Sequence, residues 1–162
     1  MGLLRRPPVE VRAVVPRGER LLAWATVQPA GYAVATDVAL YLPVGGHLRL
    51  VWDLVSKATF SDEAVLVVEA RPEPRARDRS WRVVLDDPGA LPTVVYERVT
   101  SSVVVSERVE LRGELGARIV ARRAGEGLRW TVTFDPGLDP SDPALRAEAD
   151  AALAELRSTL GV

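Results

Sequence analysis

Residues 21–46 carry a single charge, Asp37. A run so poor in charge belongs either in a bilayer or in a protein interior. A membrane-spanning helix needs about 20 consecutive apolar residues, and here Gln28, Pro29, Ala30 and Gly31 break the run. Pro29 and Gly31 are turn formers. Each half is too short to span as a helix, so the stretch is predicted to be a buried β-hairpin, and no transmembrane segment is expected.

The rest of the chain repeats the same alphabet of strands and turns. Residues 1–18 hold Pro7, Pro8, Pro16 and Gly18 and read as an N-terminal arm with one edge strand at 9–15. Residues 47–60 alternate as one strand: Leu48, Leu50, Trp52 and Leu54 fall on one face, Arg49 and Asp53 on the other. Strands are expected at 64–70 and 81–85, on either side of a Pro- and Arg-rich loop at 71–79. In 91–102, Pro92 suits a first helical turn, and Leu91, Val95, Val99 and Ser102 share a helical face. That spacing predicts a short helix, against the weak helix propensity of Val94, Val95, Val99 and Thr100. Strands at 103–111 and 117–123 follow. In the next, Leu128, Trp130, Val132 and Phe134 alternate with Arg129, Thr131 and Thr133, one face buried and one wet.

The last element is an amphipathic helix. Ser141 or Asp142 can cap it, Pro143 fits its first turn and Gly161 stops it. Leu145, Ala149, Ala152, Leu153, Leu156 and Leu160 form one stripe that must be buried against something. The expected fold is therefore mainly β in the α+β class. It is an antiparallel bent sheet, or partly open barrel, of about seven or eight strands with the C-terminal helix packing on it. Residues 19–162 read as a single domain.

Composition narrows the function classes. With 162 residues, 48% hydrophobic and 27% charged, a packed core is expected. The net charge of -1 argues against a nucleic-acid partner, since duplex binders carry a basic excess. Cysteine is absent, which removes disulfides, Cys-ligated zinc and a thiol nucleophile. The first residues show no apolar signal core behind Arg5 and Arg6, so a cytoplasmic location is expected. Lys57 is the only lysine and the other twenty basic residues are arginine, a bias typical of GC-rich coding.

No catalytic, cofactor-binding or metal-binding motif emerges. His47, the only histidine, follows Gly45-Gly46 in a turn and reads as an exposed surface residue. Asp135, Asp139 and Asp142 could offer oxygen to a hard cation, but their spacing is not that of a calcium loop, and Asp before Pro is a common turn former. Asp86 and Asp87, ahead of Pro88-Gly89, read as an exposed turn as well. Trp24, Trp52, Trp81 and Trp130 sit at alternating strand positions and are expected in the core. Arg71, Arg75, Arg77, Arg79 and Arg82 form the densest basic stretch, diluted by Glu73 and Asp78. It is the candidate contact region.

The segment Val34-Ala35-Thr36-Asp37-Val38-Ala39-Leu40-Tyr41-Leu42 resembles the second strand of bacterial pleckstrin-homology-like domains, with its Thr-Asp pair followed by apolar residues. The order of antiparallel strands and then one helix is similar to that fold too. The resemblance implies a non-catalytic module that docks a protein segment through a sheet edge or groove. A barrel holding a small molecule or lipid is the alternative, and an enzyme has the least support. Lipid-binding members of the wider family hold inositol phosphates with basic residues around the first strand-to-strand turn. Here that turn, 28–31, has none, so no specific phosphoinositide binding is expected.

Overall fold

The computed structural model describes residues 5–73, 75–124 and 126–162. It is mainly β, and residues 1–102 and 103–162 form two compact units. In each, antiparallel strands are followed by a helix, so the strand-then-helix order occurs twice.

In the first unit, α1 (Val9–Val14) precedes seven strands: β1 (Leu21–Gln28), β2 (Tyr32–Thr36), β3 (Ala39–Leu42), β4 (Leu48–Val51), β5 (Val55–Phe60), β6 (Val65–Ala70) and β7 (Arg79–Asp87). They form one sheet in the order β4-β3-β2-β1-β7-β6-β5, every neighbouring pair antiparallel. The expected hairpin is β1–β2, closed by the Val27 N–H donating to the Gly31 carbonyl at 2.9 Å. Gly31 has φ +99, and a Cβ there would lie 2.6 Å from Cβ of Pro43, so the turn excludes any other residue.

Both faces of this part of the sheet are buried, which accounts for the lone charge in 21–46. Ala23, Ala25, Val27, Ala33, Ala35, Leu40 and Leu42 enter the main core. Val34, Ala39 and Tyr41 alternate with them and form a second cluster with Val11. The expected helix in 91–102 is α2 (Leu91–Ser101), lying against β1, β2 and β5. Leu91, Val95 and Val99 enter the main core, and the buried Ser102 donates its hydroxyl to the Val99 carbonyl.

Two expectations are corrected. Residues 9–15 are not an edge strand but carry α1. Six residues are too few to hold a helix alone, so the docking of Val11, fully buried in the second cluster, supplies the stability. Residues 47–60 are not one strand either: a 3-10 turn, Trp52–Leu54, separates β4 from β5. The alternation hides this break because Trp52 and Leu54 are buried on both readings. Trp52 donates its backbone N–H to the Val38 carbonyl at 3.2 Å, the last rung of the β3–β4 register, and its indole N–H to the Thr36 carbonyl at 2.8 Å, a side-chain bond that lies off the ladder.

A charge at position 11 tests the docking of α1. Val11→Asp should drive the helix off the sheet rather than bury an unpaired carboxylate. The cost is then capped at the docking energy, about 2–4 kcal/mol for one fully and a few partly buried valines. Rapid tryptic cleavage after Arg12 and Arg17, slow in the wild type, is the expected readout.

The second unit is an antiparallel sheet of three strands in the order β10-β9-β8: β8 (Val103–Arg112), β9 (Leu115–Ala124) and β10 (Gly127–Phe134). Ala117, Ile119 and Ala121 of β9 are buried, facing Phe134, Val132 and Trp130 across the ladder. The C-terminal helix α3 (Pro143–Leu160) lies against β8, where Arg112 pairs with Glu148. Its expected caps are present. The Asp142 carboxylate accepts from the Ala144 and Leu145 amides at 2.9 and 3.4 Å, and Gly161 closes the helix at φ +72. The apolar stripe is buried at Leu145 and Ala149, half-buried at Ala152, Leu153 and Leu156, and exposed at Leu160. Among the described residues, no helix is long and apolar enough to cross a membrane.

Candidate binding groove

Strand β5 ends the seven-stranded sheet and, among the described residues, pairs with β6 alone. The outer side of an edge strand is open to a further strand, and on β5 the positions that concern the groove are Lys57 to Phe60. Beside it runs α2, held by the side chains that face the core. Between them lies a groove of about 470 Å³. Its strand wall is Ala58, Thr59 and Phe60, and its floor includes Leu66. Its helix wall is Pro92, Thr93, Val95 and Tyr96.

The groove is apolar where water reaches it. Phe60 is 43% exposed and Tyr96 63% exposed, although both are large hydrophobic side chains. Strand alternation explains Phe60. It pairs with Leu66 and Ala58 with Val68, so both point to the core side of the sheet, at the open edge. Tyr96 follows Val95 on α2 and therefore lies just off the buried stripe of Leu91, Val95 and Val99. Lys57 and Thr59, both exposed, point the other way.

The five arginines named from the sequence do not meet at one site. Arg71 donates to Asp78 at 2.7 Å across the 71–78 loop. Arg75 and Arg77 are exposed in that loop. Arg79 lies over the Trp81 ring at 5.5 Å, on the core side of β7. Arg82, opposite Val67, projects from the other face. His47 is exposed in the β3–β4 turn. Of the tryptophans, Trp52 and Trp81 are buried, while Trp24 and Trp130 are half-buried.

The acidic turns are occupied with structural bonds. Asp135 accepts from both terminal nitrogens of Arg108 at 3.0 and 2.7 Å and from the Gly116 amide at 2.8 Å. These bonds, that from Arg108 foremost, hold its carboxyl below the usual range. Asp139 accepts from the Ser141 hydroxyl and amide. Asp86 accepts from Gln28, and Asp87 pairs with Arg5. Among the described residues, no three His, Cys, Asp or Glu side chains gather as metal ligands would.

One polar cluster has no counterpart in the sequence reading. Glu19, its side chain 9% exposed, accepts from Thr36 at 2.6 Å, from Tyr41 at 2.9 Å and from Arg49 at 3.0 Å. Burial opposes ionisation of Glu19, and the bonds from Thr36, Arg49 and Tyr41 together outweigh it, so its carboxyl sits below the ordinary value. The Tyr41 phenol is pushed up, first by burial, with Arg49 opposing and Glu19 adding to the rise. The Thr36 hydroxyl also accepts from the amides of Val38 and Ala39, and Asp37 accepts from the Arg20 amide at 2.7 Å. The Thr-Asp pair thus shapes the β2–β3 turn and latches residues 19 and 20 to it. The polar groups here satisfy one another, which is the chemistry of a clamp rather than of a reactive centre.

The groove was legible in part. An aromatic just off the buried stripe of a helix is a signal, and Tyr96 gives it. That β5 is an edge follows only from the strand order. No family model, curated protein or solved structure matches the chain, so the groove stands on its own geometry.

Proposed function

We propose that residues 1–102 form a non-catalytic interaction module of pleckstrin-homology-like type that holds an extended protein segment along β5. The segment adds as a further strand, its backbone bonding to the outer edge of β5 at residues 57–60 and alternate side chains entering the groove against α2. This is strand addition, in which backbone bonds supply affinity and side-chain pockets supply selectivity. The observation that carries the reading is the coincidence of a sheet-edge strand with an apolar groove bearing exposed Phe60 and Tyr96. Seven antiparallel strands followed by a helix packed on them support the pleckstrin-homology-like assignment. The volume alone would also suit a small apolar ligand, but such a ligand makes no use of a strand edge.

The test is selection from a displayed library of random linear peptides of about twelve residues, long enough to run the length of β5. Bound peptide should slow hydrogen exchange at amides of 55–60 and shift resonances of 91–99. Phe60→Asp and Tyr96→Asp should each weaken binding at least about tenfold, or about 1.4 kcal/mol, with little change in melting temperature at such exposed positions. Failure to enrich any peptide, or binders that leave 55–60 and 91–99 unchanged, would remove the reading.

A further inference from the structure

The groove reading leaves the chemistry of the docked segment open, and the face of β5 turned away from the groove narrows it. Lys57, the only lysine of the chain, stands exposed near the middle of this six-residue edge strand. Its cross-strand neighbour on β6 is Glu69, but among the described residues none of the ion pairs within 4.0 Å includes Lys57. A lysine on a sheet edge discourages indiscriminate pairing. Two copies of this chain pairing through β5 would bring two Lys57 ammonium groups close together, which disfavours self-association at this edge.

We infer that the segment docked on β5 is acidic on one face, with an Asp or Glu seated opposite Lys57 and apolar residues at the alternating positions beside it. This rests on the strand-addition reading. Residues directly opposite in neighbouring strands have Cβ atoms about 4.5–5.5 Å apart, where opposite charges attract and like charges repel. The register then follows from the pleat. The residue opposite Ala58 points into the groove, the one opposite Thr59 points away, and the one opposite Phe60 points in again. The recognised pattern is an acidic residue, an apolar one, a residue of free choice and a second apolar one. It runs in either chain direction, according to whether the added strand is parallel or antiparallel.

The same displayed library decides it, selected in parallel on wild type and on Lys57→Glu. On wild type the enriched peptides should share the acidic, apolar, free, apolar spacing. The best of them should bind Lys57→Glu about three- to tenfold more weakly, the scale of reversing one cross-strand charge pair. Selection on Lys57→Glu should place Lys or Arg at the acidic position while keeping both apolar ones. Peptides that enrich on both proteins, depend on Phe60 and show no charge preference at that position would overturn the inference and leave the groove reading intact. An absence of enriched peptides, or binding indifferent to Phe60→Asp, would overturn both.

Discussion

A single methyl group at Gly116 is expected to separate β8 from β9. Gly116 faces Glu110 across the ladder, beside a break in register. A Cβ built there would lie 1.8 Å from the Val109 carbonyl oxygen, 2.8 Å from its carbon and 3.0 Å from Cα of Glu110. All three are backbone atoms, so no rotamer relieves the clash and the strands themselves must move apart. That movement pulls the Gly116 amide from Asp135, which also holds Arg108. Gly116→Ala should destabilise the 103–162 unit by about 3 kcal/mol or more, the upper range for overpacking. Gly113→Ala is the control. It lies in the same hairpin at φ +59 with open space around its Cβ position, so it should cost only the left-handed penalty of about 1–2 kcal/mol. Calorimetry and exchange rates at 105–120 check both. A Gly116→Ala protein that melts with the wild type would show that β8 and β9 do not approach so closely.

Thr36→Val should lower the melting temperature by roughly 10 °C or more, a shift that corresponds to about 2 kcal/mol in a unit of this size. The replacement keeps the shape and removes one fully buried hydroxyl. The Ala39 amide, 3.0 Å from that hydroxyl, and one Glu19 oxygen lose their bonds to it. Each buried polar group left short of a partner costs about 1–3 kcal/mol. Thr36→Ser, which restores the hydroxyl, should recover most of the loss.

The same variant carries a pH signature. In the folded state burial works against the Glu19 carboxylate, but the bonds from Thr36, Arg49 and Tyr41 prevail and hold its pKa below the unfolded value. A depressed carboxyl contributes stability that is fully present above the unfolded pKa of about 4.3 and lost as pH falls through the folded pKa. Without the Thr36 bond the depression shrinks. The gap between wild type and Thr36→Val should therefore be widest at neutral pH and narrow below about pH 4.3. A gap that stays constant into acid would show that Glu19 gains nothing from Thr36.

Local rules read several elements correctly because their causes lie within a few residues of one another. The face Leu91, Val95, Val99 and Ser102 named α2 against its β-branched composition, because burial of a helical stripe outweighs a few tenths of a kcal/mol of propensity per residue. Asp142 and Gly161 marked the ends of α3, since caps bond to amides and carbonyls of the adjoining turn. The Pro-Gly break at 29–31 marked the first hairpin, and the alternation in 128–134 marked β10.

Where the sequence was misread, the cause lay far along the chain. Residues 9–15 alternate like a strand, but Val34, Ala39 and Tyr41 form the surface that makes a helix of them. Residues 47–60 keep strand periodicity through a turn, and Trp52 reaches back to Thr36 and Val38. Clear apolar periodicity, turn chemistry and helix caps were determined by sequence alone, because each is a short-range property of the backbone and its nearest side chains. Which strand is left at the edge, which helix runs beside it, and hence that Phe60 and Tyr96 border one groove while Lys57 lies on the opposite face of the same edge strand, was decided only by the tertiary pairing. Strand order is a choice among distant partners, and the periodicity of one strand is the same whichever neighbour it takes.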